Sequence, residues 1–101
     1  MSVTESLKIY VSGPMSGLPN LNFPAFEDVT KQLRDAGHVV YNPSEFKNFE
    51  IRRAFAAYSN FICLEADKLI LLPGWENSLG VSAELALAKN CGIAIEEWPK
   101  P

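Results

Sequence analysis

One carboxylate stands out by its surroundings. In Ser78-Leu79-Gly80-Val81-Ser82-Ala83-Glu84-Leu85-Ala86-Leu87, Glu84 sits among small and apolar residues, early in a segment of helical composition. Such a carboxylate either lies at the solvated edge of its helix or is held in a pocket, where it is the best candidate in the chain for a catalytic group. Ser78 is a residue type that caps helices. The first turn of a capped helix keeps free N–H groups and a partial positive charge, a ready site for a phosphate or hydroxyl. Gly80 gives up helix propensity, which fits a ligand that must come close to the backbone. Tyr10, near the end of an early strand-like run, is either a core residue or a hydrogen-bond donor to a carboxylate on that helix. Trp75, in the loop 73–77, either stacks on a base or sugar or packs on its own domain. The loop Ser12-Gly13-Pro14-Met15-Ser16-Gly17 is either a plain turn or a place where backbone approaches a sugar or phosphate. It is not GxGxxG, and no Lys follows its glycines, so neither a dinucleotide fingerprint nor a P-loop is present and no cofactor is expected.

The elements that must position these residues follow from periodicity. Residues 7–12 are β-formers stopped by Gly13-Pro14 and predict a strand. A loop over residues 13–21 is long for a strand-to-helix connection, and such loops are often functional. Asn22 predicts an N-cap, with Pro24 in the first turn. Phe26, Val29, Leu33 and Ala36 form one helical stripe that Gly37 ends. Residues 38–41 predict a second strand closed by Asn42-Pro43, and residues 44–48 a loop. Ile51, Phe55, Tyr58 and Ile62 predict a helix over 49–64. The run 68–72 is apolar nearly throughout and suits a central parallel strand. A third helix over 78–89 and a fourth strand over 93–95 complete the alternation. The expectation is an α/β fold, a single flavodoxin-like or Rossmann-like domain over residues 7–96, with a mostly parallel four- to five-stranded sheet and helices on both faces. Residues 1–6 read as a disordered lead and 97–101 as a tail.

Composition narrows the function classes. The 101 residues are 48% hydrophobic and 21% charged, as expected of one globular domain. The net charge of −3 and the lack of a basic cluster argue against binding polymeric nucleic acid. Cys63 and Cys91 lie in apolar stretches and read as reduced core thiols. With His38 as the single histidine and no Cys/His spacing, no metal site is expected. No apolar run reaches membrane-spanning length, and the expected location is cytoplasmic. Arg52 and Arg53 read as a solvated face; Asp67 and His38 stand at strand starts, away from the carboxyl ends where ligands bind.

Lys8-Ile9-Tyr10-Val11-Ser12-Gly13-Pro14-Met15 resembles the first strand and loop of the nucleoside 2-deoxyribosyltransferases. Ser78-Leu79-Gly80-Val81-x-x-Glu84-Leu85-x-x-Ala88 is similar to the helix start of the related 2′-deoxynucleoside 5′-monophosphate N-hydrolases. With Asn22-Phe23-Pro24-Ala25-Phe26 and Leu72-Pro73-Gly74-Trp75-Glu76-Asn77-Ser78, the whole pattern most resembles small phage and prophage proteins described as a deoxyribosyltransferase-like domain of unknown function. The resemblance implies a protein acting on the N-glycosidic bond of a deoxynucleoside or its 5′-monophosphate in the cytoplasm, as a homodimer or larger assembly. It implies Glu84 as nucleophile and Tyr10 as its orienting partner. Ser78 and Gly80 would hold the 5′ end of the sugar, Gly13, Pro14 and Met15 the base side, and Gly74, Trp75 and Asn77 would complete the binding set. The family's acidic residue about two helical turns before the position of Asp67 falls here at Ser59-Asn60. Asn60 would hydrogen-bond the sugar but cannot deliver a proton as a carboxylic acid does. The alternative reading is therefore a nucleotide or nucleotide-signal binder that has kept the pocket and lost the chemistry. A weaker one is an interaction protein with a vestigial pocket.

Overall fold

Five residues, Lys8–Ser12, form the strand β1 on which the rest of the chain is arranged. The computed structural model describes residues 6–45 and 51–99. The order continues with α1 (Phe23–Asp35), β2 (Val39–Tyr41), α2 (Ile51–Leu64), β3 (Lys68–Leu71), α3 (Leu79–Asn90) and β4 (Ala94–Glu97). Short 3-10 turns at Pro19–Asn22, Pro43–Glu45 and Trp75–Asn77 fall in loops after the carboxyl ends of β1, β2 and β3. The expected lead, all but Ser6, lies outside the described residues. So do the expected helix start at Phe49, most of the loop over 44–48 and the last two tail residues.

The sheet has four strands in the order β2-β1-β3-β4, and every pairing is parallel. Successive side chains of a strand point to opposite faces, so β1 is divided between two cores. Ile9 and Val11 join Val40, Ile70 and Leu72 on one face, where α1 lays Phe26, Val29 and Leu33. Tyr10 joins Leu69 and Leu71 on the other, covered by Phe61 and Ile62 of α2 and by Val81 and Ala88 of α3. With helices on both faces, β1 and β3 must be apolar almost throughout, as their sequences are. The strand order reverses between β1 and β3, and the crevice beyond their carboxyl ends is where such sheets bind ligands.

Several local expectations are corrected. Asn22 occupies the N-cap position of α1 but does not cap it: its φ of 62° is left-handed, and its amide donates instead to the Pro14 carbonyl at 2.9 Å. Ala36 is not part of the buried stripe; it is the exposed C-cap of α1. Phe55, aligned with the apolar stripe of α2, is about half exposed. Cys63 and Cys91 are both exposed, not core residues. The apolar neighbours that suggested burial, Phe61 and Ile62, turn to the sheet, and the helical rotation carries Cys63 away from it. The last strand runs on to Glu97, because the Leu71 carbonyl accepts from Trp98 N–H at 2.8 Å and Trp98 packs against the α1-side core.

Candidate active site

Glu84 lies in the second turn of α3, and its position is set from both ends. Ser78 is the N-cap, its Oγ accepting from Val81 N–H at 3.3 Å. Val81 and Ala88 are the residues α3 buries against the sheet, and Glu84 falls between them on the same side. It is therefore carried into the interior, over the carboxyl end of β1, with 9% of its surface exposed. Glu84 is thus buried beside a cavity and is not at the solvated edge of its helix.

Two hydroxyls from β1 meet the carboxylate. Tyr10 Oη donates to Glu84 Oε2 at 2.6 Å, and Ser12 Oγ donates to Oε1 at 2.5 Å. Tyr10 and Ser12 are two apart on a strand, so both face α3. Hydrogen bonds to a charged acceptor contribute about 1.5–3 kcal/mol each. Among the described residues no cation lines the cavity above the carboxylate, and the donors to it are neutral hydroxyls. Burial pushes the Glu84 carboxyl above its ordinary range, and the bonds from Ser12 and Tyr10 pull it partly back. Burial first, and then the Glu84 charge, hold the Tyr10 phenol well above its usual value.

The carboxylate opens into a cavity of about 380 Å³ lined by Tyr10, Met15, Leu21, Phe23, Tyr41, Pro43, Ala54, Tyr58 and Glu84. Its walls are mainly aromatic and apolar, which suits a flat ring. Tyr41 pairs with Tyr10 in the sheet register and stacks on it, ring centroids 5.2 Å apart at 24°. A second cavity of about 570 Å³ lies at the start of α3, lined by Pro14, Met15, Ser16, Leu18, Pro73, Gly74, Asn77, Ser78, Leu79 and Gly80. Met15 lines both. Gly74, at φ 89°, turns the chain from β3 toward α3. Gly13 is required where β1 and the end of β3 converge, since a Cβ there would stand 2.7 Å from the Leu72 Cβ. Above Gly80 there is room: an added Cβ would meet only Ser78 Oγ, at 3.8 Å.

The structure thus brings Tyr10, Glu84 and Met15 to one cavity, and Pro14, Met15, Gly74, Asn77, Ser78 and Gly80 to the adjoining one. Trp75 goes elsewhere. Its indole N–H donates to Glu97 Oε1 at 3.0 Å, its ring packs on the α2/α3-side core, and it faces a separate hollow beside Trp98. Asn60 is exposed on α2 and lines neither cavity. Asp67 accepts from Lys8 N–H at 2.8 Å, and His38 Nδ1 from Leu7 N–H at 3.1 Å, both at the opposite end of the sheet. Ser12, Tyr41 and Tyr58 escaped the sequence reading. Strand alternation from Tyr10 would have found Ser12; the other two depend on register and helix rotation.

The parallel sheet and the helices on both its faces define a flavodoxin-like α/β domain. It is similar to a 2-desoxiribosyltransferase from Leishmania mexicana with a TM-score of 0.74 at 18% sequence identity. That match covers 90% of this chain and 63% of the other, so the chain spans under two thirds of its structural relative. Residues 7–97 match the model of the family described as Domain of unknown function (DUF4406), and the chain belongs to that family. No curated protein matches the sequence. Among the described residues no helix is long and apolar enough to cross a membrane, and no group of three or more His, Cys, Asp or Glu could hold a metal ion.

Proposed function

We propose that the protein breaks or transfers the N-glycosidic bond of a deoxynucleoside or its 5′-monophosphate, with Glu84 as nucleophile. One observation carries the reading: a buried carboxylate, held by two hydroxyls, faces an aromatic cavity. In the proposed reaction the base lies against the aromatic walls and the sugar's anomeric carbon faces Glu84. A carboxylate oxygen bonds to that carbon as the carbon–nitrogen bond breaks and its electron pair leaves with the base. Tyr10 and Ser12 fix the carboxylate's direction, which lowers the barrier by positioning. The negative charge also stabilises the oxocarbenium-like transition state. Water or a second base then releases the sugar. The adjoining cavity, with the start of α3 at its edge, would take the 5′ end or its phosphate.

The second reading is a nucleotide binder without turnover. It is favoured by the lining of the Glu84 cavity, which holds no second carboxylic acid among the described residues. One experiment separates the two. Wild type and Glu84→Gln are incubated with the common deoxynucleosides and their 5′-monophosphates, and free base is measured by chromatography. The enzyme reading expects base release that falls to background in the variant. The binder reading expects thermal stabilisation by a ligand with no release from either protein. Identical background release from both proteins sinks the enzyme.

A further inference from the structure

The Glu84 cavity holds one carboxylate, and its other ionisable groups, among the described residues, are the phenols of Tyr10, Tyr41 and Tyr58. A base leaving a sugar carries off an electron pair, and a proton donor within reach lowers the cost of that departure. Tyr10 is fully buried and its hydroxyl is engaged by Glu84. Tyr41 lies flat against the Tyr10 ring. Tyr58 is placed differently. It comes from α2 rather than the sheet, is only half buried, and stands with its ring centroid 6.2 Å from that of Tyr10. Phe55, one turn earlier, braces it edge-on at 4.9 Å and 60°. Among the described residues no hydrogen bond engages its hydroxyl.

We propose that Tyr58 is the proton donor to the departing base. The inference rests on the glycosyl-transfer reading above. In the first half-reaction a Glu84 oxygen forms a bond to the anomeric carbon, the carbon–nitrogen bond breaks, and its electron pair passes to the base nitrogen. The Tyr58 hydroxyl proton moves to the base and leaves a phenolate. In the second, the oxygen of water or the nitrogen of an acceptor base attacks the same carbon. The ester bond breaks, the Glu84 carboxylate is restored, and the attacking group's proton returns to the phenolate. Atoms and charges balance over the cycle.

The site also times the donor. Burial, and after it the charge of Glu84, push the Tyr58 phenol up to about 12. Attack converts the carboxylate to a neutral ester and so removes the second cause. The phenol becomes a stronger acid at the step in which the base needs its proton. A permanent neighbouring carboxylate would hold the phenol protonated throughout.

The test is Tyr58→Phe, which keeps the ring and deletes the hydroxyl. It is assayed on a natural deoxynucleoside or monophosphate that wild type cleaves, and on 4-nitrophenyl 2-deoxyriboside, whose leaving group departs as a stable anion. The expected result is a loss of roughly 10²-fold or more on the natural substrate, against less than about 3-fold on the nitrophenyl compound. Glu84→Gln abolishes both. Equal losses on the two substrates make Tyr58 a packing residue and overturn the inference, as does no loss on either, while the Glu84 reading stands. If wild type releases base from no deoxynucleoside and no nitrophenol, the glycosyl-transfer reading fails and takes this inference with it.

Discussion

Glu84 is held in the interior by the hydroxyls of Tyr10 and Ser12, and its burial has a measurable effect on stability. Its carboxyl lies above the ordinary value because burial outweighs the bonds from Ser12 and Tyr10. A group whose native pKa is raised contributes stability that is fully present below its unfolded value. That contribution is lost as pH rises through the native value. Above that native value the ionised Glu84 therefore weakens the fold relative to a neutral group of the same shape. Glu84→Gln can still accept from Tyr10 and is expected to melt above wild type on the alkaline side of that native value, with the gap closing as pH falls below the ordinary carboxylate range. A melting difference that does not change with pH would refute the assignment of burial as the dominant cause. Removal of the Ser12 hydroxyl acts in the other sense: Ser12→Ala takes away a bond that favours the charged form, so the Glu84 carboxyl should rise further. Any base release should then lose activity at a higher pH on the acid side than wild type, and an unshifted acid limb would argue against the contact.

At the scale of elements, two glycines separate folding from binding. Gly13 serves the convergence of β1 with the end of β3, where an added Cβ would stand 2.7 Å from Leu72. Gly13→Ala is expected to cost about 1–3 kcal/mol, as overpacking does, and denaturant unfolding would read the loss. Gly80 lies in the first turn of α3, where an added methyl has room in the protein itself. Replacing a helical glycine by alanine stabilises by up to about 0.5–1 kcal/mol. Gly80→Ala should therefore be no less stable than wild type, yet bind a deoxynucleoside monophosphate several-fold more weakly by calorimetry. Unchanged affinity would mean that the space above Gly80 is not ligand space. The preceding loop is built with the same economy: Asn22 gives up its cap and ties its amide to Pro14, so the start of α1 also fixes the loop that lines the second cavity.

For the whole molecule, the alternation of apolar runs with helical stripes was enough to give a parallel sheet with helices on both faces. The Ser78 cap and the small residues around Glu84 placed the carboxylate near the sheet's carboxyl end. What periodicity does not contain is who stands beside whom. Tyr41 reaches the site because β2 pairs with β1 in the register Tyr10↔Tyr41. Tyr58 reaches it, and Asn60 does not, because the two lie about 200° apart around one helix. Cys63 is exposed for the same reason, since apolar neighbours in sequence do not fix the direction of a side chain on a helix, and Cys91 is exposed as the C-cap of α3. Trp75 was read with two outcomes, and the acceptor that decided between them, Glu97, lies in a strand whose end could not be seen from sequence. The lining of both cavities has one more consequence, for ionic strength. Among the described residues neither cavity is lined by Lys or Arg. A 5′-phosphate would be held by N–H groups and hydroxyls, with no mobile counterion displaced from a charged side chain. Its affinity should then change less than about 3-fold between 50 mM and 500 mM salt, because fixed dipoles in contact with their ligand are screened far less than separated charges. A steep fall over that range would place the phosphate against a basic residue instead of the start of α3.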